Sequence, residues 1–191
     1  MNPGDTTRPA QSMMSMVSMA PSPASPRRAD IGVVVRQSQR AGMARVYPIG
    51  AISVGQKGER LAEFGEMVGA GAVAVSDDGR PVVSGHLMRT ALEYALTFGI
   101  PVADHCEEPT LAAGGAMHEG LVSTRLGLKG IPAAAEDVMV LRDLALLELT
   151  GGRLHIAHVS TRGAVRAIRD AKARGLAVTA EATPHHLLLT D

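Results

Sequence analysis

The chain has 191 residues, 46% of them hydrophobic, with 19 Lys and Arg balancing 19 Asp and Glu. That balance argues against nucleic acid or an anionic membrane surface as a partner, and no run of about 18 apolar residues suggests a membrane span. Only Tyr47, Phe64, Tyr94 and Phe98 are aromatic, so the core must be aliphatic and stacking platforms are scarce; the single cysteine, Cys106, leaves no internal disulfide and fits a reducing compartment.

Residues 1–29 are dominated by Met, Ser and Pro, hold no helical or strand period, and read as a disordered tail. From residue 30 to 191 the chain reads as folded. A short helix is expected over Ile31–Ala41, a strand over Arg45–Ile52 and a helix over Glu59–Val68. Ala72–Val75 is the next strand. Ser84 caps a helix carrying Leu87, Met88, Ala91, Leu92, Ala95 and Leu96, closed by Gly99. The strand Ile100–His105 opens a long glycine-rich connection that holds His118 and Glu119 and suits a lid. Ala133–Leu149 is a helix with Val138, Leu141, Leu144 and Ala145 inward. Arg153–His158 is a strand, Gly163–Arg174 a helix capped by Ser160 or Thr161, and Leu176–Ala182 a last strand with no helix after it.

Alternating strands and helices predict an α/β fold with a parallel sheet and right-handed crossovers. The Gly-rich fingerprints of dinucleotide and phosphate sites are absent. Polar residues stand at several strand ends: Asp78, His105 and His158. A barrel gathers such ends at one mouth. Imidazole and carboxylate together suit a divalent cation such as zinc. Each residue alone has a plainer reading: Asp77-Asp78-Gly79 is a good turn, and a strand-end His is commonly just hydrogen-bonded. His155, three residues before His158, is expected on the opposite, helix-facing side. His185 and His186 read better as loop-shaping than as site residues. Cys106 reads better as a small buried residue than as a nucleophile.

From Val46 to Asp191 the chain resembles class I dihydroorotases of the amidohydrolase superfamily. The similar pieces are VYPIGA (46–51), SDDGRPV (76–82), DHCEE (104–108), MHEGLVSTRLGLKGIP (117–132), HIAHVSTRGAVRAIRDAK (155–172) and VTAEATPHHLLLTD (178–191). The resemblance implies part of a (β/α)₈ TIM barrel, about strands three to seven, and a binuclear Zn²⁺ site. It implies that Asp78 is the bridging carboxylate, that His105 is the fifth-strand ligand and that His158 is the sixth-strand ligand. It also implies interconversion of N-carbamoyl-L-aspartate and dihydroorotate in pyrimidine biosynthesis, in the cytoplasm. The family's first-strand His-x-His pair has no counterpart here, the first histidine being His86, and its eighth-strand aspartate lies past the last matching piece. Low activity of this chain by itself is therefore expected. The alternatives are a non-catalytic scaffold subunit for aspartate carbamoyltransferase and an allantoinase- or hydantoinase-type cyclic amidohydrolase. Those latter families typically carry a carboxylated lysine where Asp78 stands.

Overall fold

The computed structural model describes residues 16–18 and 28–189. The expected disordered tail thus falls largely outside the described residues. Within that stretch Met16–Ser18 form a strand, β1. There follow α1 (Arg28–Ala41), β2 (Tyr47–Gly50), α2 (Phe64–Gly69), β3 (Ala74–Ser76), α3 (Gly85–Leu96) and β4 (Val102–Asp104). The long connection resolves into α4 (Pro109–Ala112), β5 (Met117–His118), α5 (Leu121–Leu126) and β6 (Gly130–Ile131). Then come α6 (Ala134–Thr150), β7 (Leu154–Ile156), α7 (Arg162–Ala173), β8 (Val178–Ala180) and α8 (Pro184–Leu188). The last of these replaces the helix-free end expected from the sequence.

Six strands form one parallel sheet in the order β1-β2-β3-β4-β7-β8, and β5 and β6 form a separate parallel pair. Spatial order follows chain order throughout. A doubly wound sheet would reverse at a switch point. Without a reversal, right-handed crossovers put all helices on one face, as in a barrel wall.

The core lies between that face and the helices. Val75, Val102, Leu154, Ile156 and Val178 from the strands pack with Met88, Leu92, Leu144, Leu147 and Ile168 from the helices. Burying one such side chain stabilises by about 1.5–3 kcal/mol. Local signals place the helices that carry it. The Ser84 hydroxyl accepts from Leu87 N at 3.2 Å to start α3, and the Thr161 hydroxyl accepts from Ala164 N at 3.2 Å to start α7. Gly151 ends α6 in the left-handed conformation, φ +68°.

Two expectations need correction. The helix read from Glu59 begins at Phe64, because residues 52–62 form a closed turn in which Val54 N donates to Arg60 O and Ala62 N to Ile52 O, both at 2.9 Å. In α6 the buried residues are Ala135, Met139, Val140, Asp143, Leu144 and Leu147, while Val138, Leu141 and Ala145, expected inward, are exposed. The helix is apolar nearly all round, so its period leaves the inward face open. A buried aspartate is the residue that the hydrophobic pattern assigns to solvent. Among the described residues no helix is long and apolar enough to cross a membrane.

Candidate functional site

Strand alternation sorts the end of β4. Val102, Asp104 and Cys106 face the helices, and His105 faces the other way. His105 meets His158: Nδ1 of the first lies 3.0 Å from Nε2 of the second, with ring centroids 4.8 Å apart and planes at 69°. Burial, and then the neighbouring His158, hold the His105 imidazole below its usual range, so it is neutral at neutral pH with a lone pair to offer.

His158 reaches that contact by an unusual backbone. It lies two residues beyond β7 with φ +37°. Asp78, two residues beyond β3, has φ +24°. Among the described residues only Gln56, Asp78 and His158 are non-glycine residues with positive φ. Such strain costs of order 1–3 kcal/mol and collects where function demands it. The Asp78 carboxylate is exposed, and its charge favours the protonated form of His105. It stands apart from the two rings: among the described residues, the one group of three ligand atoms all within 4.8 Å of one another is Asp104, Cys106 and Asp143.

That trio has donors of a metal-binding type, but its charge is already answered. The Arg142 guanidinium grips Asp143 Oδ1 at 2.6 and 2.8 Å and lies 3.6 Å from Asp104. Burial and the charge of Asp143 push the Asp104 carboxyl well up, which favours its protonated form. The Cys106 thiol points at Asp143 Oδ2 from 3.5 Å, and burial raises it well above a reactive range. As expected, Cys106 is a small buried residue.

Asp77 and Asp78 also divide. Asp77 is buried; its Oδ1 accepts from Ile52 N at 2.8 Å and Ser53 N at 3.0 Å, and its Oδ2 accepts from the Ser53 hydroxyl. It locks the turn after β2 to the end of β3 and leaves Asp78 as the outward acid.

A cavity of about 750 Å³ opens in front of the histidine pair. His118 and Glu119 line it. His185 and His186 line it too, from α8, with rings 4.3 Å apart, where the sequence favoured a loop-shaping role. His155 also departs from expectation. Leu154 and Ile156 enter the helix-side core, so His155 faces the opposite side, its Nδ1 2.8 Å from the Thr179 hydroxyl and its Nε2 3.6 Å from the Glu181 carboxylate. The turn at His158, with φ +37°, breaks the alternation that would set His155 and His158 on opposite sides. Glu136, at the cavity wall, escaped sequence reading altogether. Its position in the first turn of a helix is ordinary for an acid, and its partners lie 24 residues away.

Comparison with known proteins fits this architecture. A model of the dihydro-orotase-like family matches residues 7–164, a match that takes in most of the stretch read as a tail. A dihydroorotase of Anaeromyxobacter sp. (strain K) is 67% identical over 159 residues, covering 83% of this chain and 37% of that protein. One from Pelotomaculum thermopropionicum is 61% identical over 166 residues, 85% of this chain and 39% of the relative. The chain therefore spans less than half the length of these relatives. Among solved structures, the L-hydantoinase (dihydropyrimidinase) of Arthrobacter aurescens superposes with a TM-score of 0.63 at 20% identity, over 88% of this chain and 39% of that one, a likeness of fold. Sequential parallel strands, polar strand ends and these matches lead to one conclusion: the chain belongs to the dihydro-orotase-like family.

Proposed function

We propose that this chain is part of a cytoplasmic metal-dependent cyclic amidohydrolase that interconverts N-carbamoyl-L-aspartate and dihydroorotate. The observation that carries the reading is the His105–His158 pair. Two imidazole nitrogens on one tetrahedral zinc stand about 3.3 Å apart at bond lengths of about 2.0–2.1 Å, and these stand 3.0 Å apart. The pair faces a cavity of a size to hold a small cyclic amide. The relatives that match over most of the chain are named dihydroorotases.

His105 and His158 would hold a zinc ion, and Asp78, which stands apart from the two rings on its left-handed turn after β3, would supply the carboxylate. A metal held there would supply the acidity for a bound water and the polarisation of an amide carbonyl. The neutral state of His105 suits ligation without loss of a proton. His118, at the end of β5, and Glu119 after it line the cavity, where they would exclude water from a bound substrate.

Replacing the matching segment of the Anaeromyxobacter relative with this chain's residues tests the assignment. Hydrolysis of dihydroorotate is expected, with loss of about a hundredfold or more in His105→Ala and His158→Ala versions. A chimera that folds and opens hydantoin but not dihydroorotate would move the assignment to the hydantoinases. A chimera still active after both substitutions would remove the histidines from the site. The aspartate carbamoyltransferase partnership is tested by co-purification with that enzyme.

A further inference from the structure

We infer that Glu136 is a positioning residue: its carboxylate holds the 158–161 loop so that His158 keeps its left-handed backbone and its ring meets His105. The inference rests on the metal reading above for one of its two readouts only.

Glu136 stands in the first turn of α6 and lines the cavity, where a free carboxylate would pass for a ligand or a base. Its oxygens are already taken. Oε1 accepts from Thr161 N and the Thr161 hydroxyl, each at 3.0 Å. Ser160 N donates to both oxygens at 3.1 Å, and the Ser160 hydroxyl donates to Oε2 at 2.5 Å. Ser160 N, the Ser160 hydroxyl and Thr161 N thus occupy the carboxylate, and the single proton of the Thr161 hydroxyl is shared between Glu136 and Asp137. Hydrogen bonds to a charged acceptor are each worth more than neutral ones. Together they anchor the chain immediately after His158.

The other constraints on this loop point the same way. Val159 N donates to Glu181 O at 2.8 Å, which ties the loop to the segment after β8. Asp137, the next residue of α6, accepts from the Thr161 hydroxyl at 2.6 Å and from Ala164 N at 2.9 Å. Gly163 makes room for that approach: a Cβ there would collide with the Asp137 carboxylate. On its other side α6 grips the loop after β4, where Ala135 O accepts from Glu108 N at 2.8 Å. The first turn of α6 thus sits between the loop that follows His105 and the loop that follows His158. A left-handed non-glycine residue relaxes unless its surroundings over-determine it. Glu136 is the side chain that supplies most of that constraint to the His158 loop.

The test uses this full chain, isotope-labelled, as wild type, Glu136→Gln, Glu136→Asp and, as a control, Glu93→Gln, which removes only an exposed ion pair with Arg89. In the metal-free chain, NMR reads the His158 amide–Hα coupling and the nuclear Overhauser contact between the two rings. Cobalt(II) titration reads affinity from the visible spectrum. The wild type and Glu93→Gln are expected to show the ring contact. Glu136→Gln, which removes the charge and turns an amide nitrogen toward the donors of one carboxylate oxygen, is expected to lose the contact and the positive-φ coupling, and to bind cobalt about 10–100-fold more weakly, the usual cost of losing an outer-shell partner. Glu136→Asp, with the charge kept one methylene short, is expected to recover part of both.

The inference is overturned if the wild type lacks the ring contact. It is also overturned if Glu136→Gln keeps that contact with cobalt affinity within twofold of wild type, or if both substitutions at Glu136 collapse the amide spectrum as a whole. If the wild type binds no cobalt while Glu136→Gln still loses the ring contact, the positioning role stands and the metal reading fails.

Discussion

Asp104 and His105 are neighbours in the chain and belong to different worlds. Asp104 turns into the helix layer, joins Asp143, Cys106 and Arg142, and is 1% exposed. His105 turns to the open side and meets His158 in front of the cavity. Both clusters are polar, and both are built from residues a metal would accept. The difference is what answers the charge. On the helix side a guanidinium answers the acids, so the cluster holds parts together: Arg142 also donates to the carbonyls of Val82, at 2.7 Å, and Val83, at 3.0 Å, past the Asp78 turn. On the cavity side two imidazoles face each other with no counter-charge in the pair, and that arrangement is fit for a ligand. One residue of strand register separates the buried cluster from the cavity face.

The largest effect is expected where that comparison is broken from the scaffold side. Arg142→Met leaves the Asp143 charge buried without its partner and should cost about 3–5 kcal/mol in urea unfolding. Gly163→Ala comes next. The added methyl meets the Asp137 carboxylate, and overpacking of this kind costs about 1–3 kcal/mol, read by the same unfolding curves.

A pH series sharpens the contrast. Because the Asp104 carboxyl is raised above its unfolded value, its contribution to stability is full below the ordinary carboxylate pKa of 3.8 and is lost as pH rises through the folded value. The share of the denaturant midpoint owed to this group should therefore fall as pH rises above 3.8. In Asp104→Asn, whose amide stands in for the protonated acid, that slope should flatten; an unchanged slope would mean that the pair holds no extra proton.

From the cavity side the stability effects shrink. His158→Ala should change stability by less than about 1 kcal/mol, the range of a partly exposed polar contact, yet abolish zinc retention in equilibrium dialysis. Smallest of all is Glu93→Ala. It removes a surface pair with Arg89 and should cost about 0.3–0.5 kcal/mol at low salt and less at high salt.

The ends of the strands were the most legible part of this molecule. Ala72–Val75, Ile100–His105 and Arg153–His158 each pair an apolar run with a polar terminus, and the structure has β3, β4 and β7 there. Helix stops at Gly99 and Gly151 were equally plain, because a left-handed residue after an apolar period is a local signal. The inward face of α6 was not legible. Val138 and Leu141 are as apolar as Leu144 and Leu147, and packing between α3, α7 and the sheet decides among them. His155 was misplaced because a period of two runs straight only while φ stays negative, and at His158 it does not.

By itself, then, the amino-acid sequence determined the alternation of strand and helix, the family, and the arrival of Asp78, His105 and His158 at strand ends, since each of these is written in short-range pattern. Tertiary structure alone decided that the two imidazoles meet across 53 residues, that Glu136 is spent on Ser160 and Thr161 across 24, and that Arg142 reaches Val82 across 60. Such contacts depend on which backbones pack side by side and on the sign of one φ angle. Neither leaves a mark in local composition, because the energy that selects them comes from neighbours distant in the chain.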